Sequence, residues 1–190
     1  MIISSDKKNQ ILQTTLRLIT ERGFHDTPMS LVAREAGVAA GTIYHHFSSK
    51  DALINELYSS LKVRMGRALL SKDHAEGNIK QRFFSFWLGL YEHFVQHPLE
   101  FKFLEQYANS PLVDRDVRYA SSVHYQPIID FLEHGIQRGV LREMPLLLMS
   151  NLIYGHIIST AKLQLSGDLD ITDENLHMAI QASWDGVKIN

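Results

Sequence analysis

Side chains suited to contact with a nucleic acid lie close together in the sequence, between Thr42 and Lys50. Thr42 offers a hydroxyl that can donate to a phosphate or a base edge, and its methyl group suits the methyl of thymine. Tyr44 and His45 are long enough to reach the backbone or a base of DNA. Lys50 places a cation in the first turn of a predicted helix, where backbone N–H groups also favour phosphate. These residue types can bind DNA, provided that the fold presents them on one surface.

Two short helices joined by a tight turn are predicted to position this cluster. Thr27 is expected to cap the first helix with its hydroxyl, and Gly37 stands where a left-handed residue ends it. The second helix is predicted over about residues 40–46, and it turns Ile43 and Phe47 inward. The buried face of the first helix is predicted from helical spacing as Met29, Val32, Ala33 and Ala36. This arrangement is typical of a helix-turn-helix, whose second helix enters the major groove of DNA.

The same stretch resembles the N-terminal domain of the TetR family of bacterial transcriptional regulators, over roughly residues 8–62. The resemblance is carried by Gly23, Phe24, Thr27, Ala33, Ala36, Gly37, Val38, Gly41, Thr42, Tyr44, Phe47 and Lys50. It implies an all-α protein of about nine helices. Residues 1–48 are expected to form a three-helix helix-turn-helix domain, and residues 49–190 a helical domain for ligand binding and dimerisation.

The resemblance also implies that the start of the second short helix contacts bases and phosphates. The residues expected to bind DNA are Thr27, Ala39, Ala40, Thr42, Tyr44, His45, His46 and Lys50. Ala39 and Ala40 depart from the common family pattern, which has a capping serine and a polar or basic residue there. DNA shape and thymine methyl groups are therefore expected to contribute more to recognition. Two alternatives stay open, Tyr44 as a core aromatic residue and Lys50 as a solvated surface charge.

The composition argues against several classes of protein. The 190 residues include no cysteine, which excludes disulfides and thiolate metal sites. No apolar run approaches the roughly 20 residues of a membrane span, and residues 1–10 lack a signal-peptide core. A cytoplasmic protein without a membrane partner or a cofactor is therefore expected. The net charge is −2 overall, yet residues 1–50 carry +2, which favours an N-terminal DNA-binding end.

Large aromatic residues concentrate in the middle of the chain. They predict either an aromatic core or a cavity for a flat, apolar ligand, including a cationic one. The resemblance favours the cavity, since many TetR-like proteins hold an inducer among these helices. The residues expected to line it are Tyr58, Lys62, Trp87, Tyr91, Phe94, Phe103, Tyr107, Tyr125 and Tyr154. His93 and His97 have a spacing that can bind a metal, but no acidic partner supports such a site, and none is predicted.

The last two predicted helices, over about residues 145–165 and 172–188, would together expose a large apolar surface. The resemblance implies that they pair with the same helices of a second subunit, and the alternative is burial within one chain. The residues expected at this interface are Gly155, Ser159, Ile180, Ser183 and Trp184.

Two reading helices on a two-fold axis would match a palindrome with half-sites roughly 34–36 Å apart. The predicted function is therefore a homodimeric repressor that a small-molecule effector releases from its operator by changing this separation. One alternative is a DNA-binding regulator that answers to a protein partner or to no effector. A helical enzyme is a remote alternative, because the sequence contains no phosphate loop, nucleophile motif or hydrolase-type carboxylate pair.

Overall fold

The computed structural model describes residues 3–73, 76–107 and 110–189, and most of them are helical. The predicted all-α architecture is confirmed. In chain order the helices are α1 (Ile3–Arg22), α2 (Met29–Glu35), α3 (Ala40–His46), α4 (Lys50–Leu70), α5 (Ile79–Gln96), α6 (Pro98–Tyr107), α7 (Arg115–Ser121), α8 (Gln126–Gln137), α9 (Leu146–Ser166) and α10 (Asp173–Val187). A 3-10 turn at Ser122–Tyr125 separates α7 from α8, and Leu141 and Lys188 form an isolated antiparallel bridge.

Local signals set the ends of the first helices. Gly23 ends α1 with φ +85°, and Gly37 ends α2 with φ +62°, backbone conformations that a residue with a Cβ rarely adopts. The predicted bounds of α3 are confirmed. The prediction that Thr27 caps α2 is wrong. Pro28 is the N-cap and provides no side-chain hydrogen bond, because the Thr27 hydroxyl donates to the carbonyl of Gly23 at 2.8 Å instead.

Contacts between residues divide the chain into two compact units. Unit 1 contains Met1–Lys62 and Leu99–Ser121, and unit 2 contains Val63–Pro98 and Ser122–Asn190. The functional boundary expected after residue 48 does not coincide with this division, and it stays a prediction. The first part of α4 thus belongs with the N-terminal helices, and its remainder belongs with the C-terminal ones.

The core of unit 1 lies beneath the short helices. Its most deeply buried residues include Ile11, Leu16, Leu18, Ile19, Val32, Ala36, Ile43, Phe47, Leu53 and Leu57. α1 packs against α2, and α2 packs against α3. The ammonium of Lys8 pairs with the carboxylate of Glu56 at 2.5 Å and so joins α1 to α4. The spacing of Leu53, Leu57 and Leu61 predicts an apolar stripe along α4, and all three are fully buried.

α5 is the central helix of unit 2, as its apolar sequence predicts. It packs against α9 and α10 and buries Phe83, Phe86, Trp87, Leu90, Tyr91 and Phe94. Asn78 and Gln81 form a reciprocal capping box at its first turn, with hydrogen bonds of 2.9 and 3.0 Å. The sequence from about residue 113 to 138 predicts one long helix, bent or interrupted at Pro127 because proline lacks a backbone donor. The helix is interrupted, and the break lies just upstream of Pro127 at the 3-10 turn.

α9 corrects one expectation from the sequence. It is long and apolar enough to cross a membrane, with a mean hydropathy of 1.2 over an 18-residue window of which 22% is buried. The prediction that no apolar run approaches this length is therefore wrong. Length and composition alone do not distinguish a lipid-facing helix from one that packs against protein. α9 thus exposes an apolar surface whose covering must be explained.

Candidate nucleic-acid interface

α3 presents polar and aromatic side chains outward above an apolar underside. Ile43 is fully buried and Phe47 is 3% exposed, whereas Tyr44 is 57% exposed. His45 is exposed, and Thr42 and His46 are half-buried. The alternative of Tyr44 as a core aromatic residue is therefore excluded. The outer side of α3 offers a hydroxyl, a phenol and two imidazoles for contact with a partner.

The turn between α2 and α3 brings the two helices close together. Ala33 is 4% exposed, and its small side chain leaves room for a near approach of α3. The amide of Val38 donates to the carbonyl of Ala33 at 3.0 Å, and the amide of Gly37 donates to that of Arg34 at 3.1 Å. These backbone bonds fix the course of the chain where α2 ends and the turn toward α3 begins.

The start of α3 is capped through its backbone. Ala39 is the N-cap, with φ −64° and ψ 148°, and it makes no side-chain capping bond. The amide of Thr42 donates to the carbonyl of Ala39 at 2.9 Å. The side chains of Ala39 and Ala40 are exposed. This end of α3 therefore presents methyl groups, which can contact the methyl of thymine but cannot read a base by hydrogen bonding.

Two of the predicted DNA-binding residues are turned into the fold. Thr27 is 1% exposed, and its hydroxyl is committed to Gly23. The ammonium of Lys50 donates to the carbonyl of Phe24 and lies 3.9 Å from the centroid of the Phe24 ring. Burial lowers the pKa of Lys50, whereas Asp51 and Asp26 act to raise it. Lys50 is thus half-buried and engaged with Phe24, which argues against a fully solvated surface charge.

The N-cap of α4 is a further correction at this site. Ser48 is the cap that the sequence predicts for this helix. The prediction is wrong, because the amide of Ala52 donates to the hydroxyl of Ser49 at 3.0 Å. The lysine and arginine side chains that are exposed within the first 50 residues are Lys7, Arg22 and Arg34. They are available for phosphate, although Arg34 also lies 3.5 Å from the carboxylate of Glu35.

The residues predicted to line a ligand cavity fall into both units. In unit 1, the ammonium of Lys62 lies 5.7 Å from the ring of Tyr58, and the rings of Phe103 and Tyr107 are 5.1 Å apart. Burial lowers the pKa of Lys62 to about 8. Burial also raises the pKa of Tyr58, and the charge of Arg118 opposes that rise. Lys62 and Tyr58 are thus brought together, as expected from their spacing of one helical turn.

Unit 2 holds the other five predicted cavity residues. Trp87 and Tyr91 stack with ring centroids 5.7 Å apart, and Phe94 meets Tyr154 edge-on at 6.3 Å. The phenol of Tyr125 donates to the sulfur of Met65 at 3.3 Å. Burial raises the pKa of Tyr91, and the charges of Asp170 and Glu92 act in the same direction. The structure therefore brings four of these five residues together as two ring pairs, and Tyr125 contacts Met65 instead.

A groove of about 590 Å³ opens elsewhere on the surface of unit 2, and sequence reasoning missed it. Its lining residues are Gly77, Asn78, Ile79, Lys80, His134, Arg138 and Val140. None of them belongs to the predicted cavity. The groove depends on the end of α8 meeting the start of α5, and no local pattern in the sequence signals that meeting.

The predicted interface residues divide between the two sides of their helices. Gly155 and Ser159 lie toward the outer side of α9, where Leu148, Leu152 and Leu163 are exposed. Ile180, Ser183 and Trp184 are at most 5% exposed, and the ring of Trp184 meets that of Phe83 at 5.3 Å. The assignment of these three side chains to an open surface is therefore corrected, because α10 turns them toward α5.

His93 and His97 have ring centroids 4.7 Å apart. Among the residues that the structure describes, no group of three or more histidine, cysteine, aspartate or glutamate side chains could hold a metal ion. The pair therefore gives no support for a metal site in this part of the chain.

Two family models match this chain. One, described as bacterial regulatory proteins of the tetR family, covers residues 11–57. The other, described as a tetracyclin repressor-like C-terminal domain, covers residues 78–188. The two matches include the helix-turn-helix and all of the helices from α5 to α10.

Individual proteins are similar over comparable lengths. The chain is 29% identical over 189 residues to an HTH-type transcriptional regulator of Haemophilus influenzae, with 97% of each chain covered. It is 28% identical over 145 residues to the HTH-type transcriptional regulator BetI of Escherichia coli, covering 75% of this chain and 68% of BetI. A solved structure of a TetR family transcription regulator from Shewanella sp. PV-4 matches with a TM-score of 0.89 and 28% identity, over 97% of this chain and 99% of that one. The similarity therefore extends well beyond the N-terminal helices.

Proposed function

Since this chain belongs to the TetR family of bacterial regulatory proteins, we propose that it is a homodimeric repressor, released from a palindromic operator by a small apolar or aromatic ligand. Its class as a helix-turn-helix transcription regulator follows from the family, which also excludes the enzyme alternative. Dimerisation, repression and the ligand are the proposed parts. DNA binding implies that the protein works in the cytoplasm.

The observation that carries the proposal is the outward side of α3. Tyr44 is 57% exposed and His45 is exposed, whereas Ile43 beneath them is fully buried. The outer surface of α3 therefore makes few apolar contacts within the chain. Exposed aromatic and hydrogen-bonding groups on the second helix of a helix-turn-helix are placed to enter a major groove. We assign base and backbone contacts to Thr42, Tyr44, His45 and His46, and methyl contacts to Ala39 and Ala40.

Affinity for duplex DNA tests this assignment. The operator is first selected from a random duplex library with the purified full-length chain, and binding is then followed by fluorescence anisotropy. Tyr44→Ala is expected to weaken operator binding by roughly 10-fold or more, because it removes a base or phosphate contact worth about 1–3 kcal/mol. Tyr119→Ala, which removes another exposed tyrosine of unit 1, is the matched control and is expected to bind like the unaltered chain. Equal affinities for all three proteins would contradict the assignment.

The apolar outer side of α9 supports a homodimer. Leu148 and Leu152 are 51% and 48% exposed, and Met178 of α10 is 56% exposed. The outer side of α9 also carries Gly155 and Ser159, whose small side chains permit close approach of another helix. A second copy of the chain would cover this surface symmetrically and place two copies of α3 on one duplex.

An orphan donor in unit 2 supports a ligand. The indole nitrogen of Trp87 is buried and has no hydrogen-bond acceptor among the described residues. Such a donor is unfavourable unless a ligand or water accepts from it. Trp87 also stacks on Tyr91, so an aromatic ligand that accepts a hydrogen bond would suit both side chains. A cationic ligand would also be attracted to the faces of the Trp87 and Tyr91 rings.

Ligand binding can be tested with the two tryptophans of the chain. A panel of aromatic and cationic small molecules is screened for thermal stabilisation and for quenching of tryptophan fluorescence. Trp87→Phe is expected to abolish both responses to a hit, whereas Trp184→Phe keeps them. A panel without any shift would favour the alternative regulator that answers to a protein partner or to no effector.

A further inference from the structure

The turn between α1 and α2 is held by hydrogen bonds that converge on two carbonyl groups. The carbonyl of Gly23 accepts from the hydroxyl of Thr27 at 2.8 Å. The carbonyl of Phe24 accepts from the amide of Thr27 at 3.2 Å and also from the ammonium of Lys50. Two of these bonds are local, but the third reaches 26 residues along the chain. Lys50 therefore joins this turn to the start of α4.

Lys50 makes a second interaction with the same residue. Its ammonium lies 3.9 Å from the centroid of the Phe24 ring, well inside the range of a cation–π contact. One cation thus binds both the backbone and the side chain of Phe24. Both partners are partly buried, and partial removal from water strengthens a charged hydrogen bond. The carboxylates of Asp26 and Asp51 act on the same ammonium.

The position of Lys50 in the chain links this contact to α3. α3 ends at His46 and α4 begins at Lys50, so three residues separate the two helices. The first of them, Phe47, is 3% exposed, and its amide donates to the carbonyl of Ile43 at 2.9 Å. Because this connection is short and is held by the buried Phe47, it has little conformational freedom. Fixing Lys50 against Phe24 therefore also fixes the end of the reading helix.

From this geometry we infer that Lys50 is a positioning residue, which orients α3 through Phe24 and does not pair with a DNA phosphate. The inference rests on the proposed DNA binding by α3 and deepens it. One N–H of the ammonium donates to the carbonyl of Phe24 and the cation also lies against the ring, so both contacts hold Lys50 toward the turn. The cations that remain for phosphate in this unit are exposed ones such as Lys7 and Arg22.

Hydrogen exchange of the protein without DNA is the first test. The amide of Thr27 bonds to the carbonyl that Lys50 also holds, so its exchange reports on the turn. Lys50→Met removes the charge and keeps a long apolar stem, and it is expected to speed exchange at Thr27 by roughly 10-fold, the loss expected for a hydrogen bond to a charged group. Lys102→Met, which removes an exposed lysine of α6, is the control and leaves this amide unchanged. Unchanged protection at Thr27 in Lys50→Met overturns the inference.

The salt dependence of operator binding is the second test. A lysine that neutralises a phosphate contributes about 0.9 to the slope of log K against log salt, whereas a positioning residue contributes nothing. Lys50→Met is expected to bind the operator about 10-fold more weakly with an unchanged slope, a loss that corresponds to about 1.4 kcal/mol. Phe24→Leu removes the ring but keeps the carbonyl that Lys50 also binds, so it is expected to cause a smaller loss, and the double variant is no weaker than Lys50→Met alone.

Two results overturn the inference in this second test. One is a slope that falls by about one unit in Lys50→Met, since Lys50 would then be a phosphate contact. The other is additive losses in the double variant, which would show that the two residues act separately. If the unaltered chain binds no duplex, the proposed function fails, and the hydrogen-exchange result still decides the inference on the turn.

Discussion

At the scale of single residues, Lys62 shows how burial alters an ordinary side chain. Desolvation lowers its pKa to about 8, whereas an unfolded chain restores the usual value near 10.5. The folded state therefore carries a cost for keeping Lys62 charged. This cost is fully present below pH 8 and disappears as the pH rises toward 10.5, because the folded protein releases its proton first.

The first prediction concerns the variant Lys62→Met, which replaces the buried cation with an apolar side chain of similar length. We expect it to raise the free energy of unfolding at pH 7 by roughly 1–3 kcal/mol, since one pKa unit corresponds to about 1.4 kcal/mol. The difference from the unaltered chain should shrink at pH 9.5. Urea denaturation at both pH values measures it, with the exposed Lys102→Met as control. A difference that stays constant with pH would count against this account.

The residue scale also shows which site residues could be predicted from the sequence. The exposure of Tyr44 and the inward direction of Ile43 and Phe47 follow from helical periodicity, because neighbouring positions on a short helix point in different directions. Thr27 and Lys50 could not be placed in this way. Their partners, Gly23 and Phe24, are reached through a turn whose course depends on the packing of three helices.

At the scale of helices, α4 and α5 approach each other closely at Gly89. A Cβ built on Gly89 would lie 2.4 Å from the carbonyl oxygen of Ala68 and 3.3 Å from the hydroxyl of Ser71. The first distance is far below van der Waals contact, and its partner is backbone, which cannot rotate away. Glycine is therefore required here by the crossing of two helices and not by its own backbone angles.

The second prediction follows from this crossing. Gly89→Ala is expected to lower the free energy of unfolding by about 1–3 kcal/mol, as overpacking does in a tight core. Gly186→Ala is the control, because a Cβ on Gly186 meets no heavy atom within 4 Å. The control should gain up to about 1 kcal/mol from helix propensity. Chemical denaturation of both variants measures the contrast, and a similar gain in Gly89→Ala would contradict the close approach.

Helix ends illustrate the limits of sequence reasoning at this scale. The ends of α1 and α2 are set by Gly23 and Gly37, whose positive φ angles are a property of single residues. α7 and α8 are separated by a 3-10 turn that begins at Ser122, upstream of Pro127. Proline accounts for an interruption near this point but does not set its position. The sulfur of Met65 accepts from Tyr125 in this turn, so contacts distant in sequence help to hold it.

At the scale of the whole molecule, the exposed leucines of α9 need a partner. Leu148 and Leu152 lie one helical turn apart and are each about half exposed. Water contact with such a stripe is unfavourable at roughly 25 cal/mol for each Å² of apolar surface. The proposed dimer removes this surface from water. A lipid bilayer could also cover it, given the length and composition of α9, and the next experiment separates the two outcomes.

The third prediction concerns a variant with both Leu148→Asp and Leu152→Asp. It is expected to sediment as a monomer at micromolar concentration. The two carboxylates of one copy would repel those of the other, and burying them at the interface would remove their hydration. Operator binding should weaken at least about 10-fold, since the two copies of α3 are no longer linked. Val123→Asp, on the exposed 3-10 turn, is the control and should remain dimeric.

Two observations would contradict the dimer. One is an unaltered chain that sediments as a monomer at micromolar concentration. The other is an unaltered chain that floats with lipid vesicles, and in that case α9 would be the segment to examine. Either result leaves the assignment of α3 to DNA open to its own test.

The sequence by itself determined the class of this protein, because that class depends on short-range information. Periodic apolar residues, two left-handed glycines and a fixed spacing between Gly23 and Lys50 suffice for a helix-turn-helix of the TetR type. Each of these signals acts within a few turns of helix, where backbone geometry leaves few alternatives.

Only the tertiary structure decided which side of each helix meets another. It turned Ile180, Ser183 and Trp184 inward, left Leu148 and Leu152 outside, and set the ammonium of Lys50 on Phe24. It also distributed the predicted cavity residues between two compact units. These outcomes depend on contacts between residues far apart in the chain, whose free energies differ by little and are summed over the whole fold.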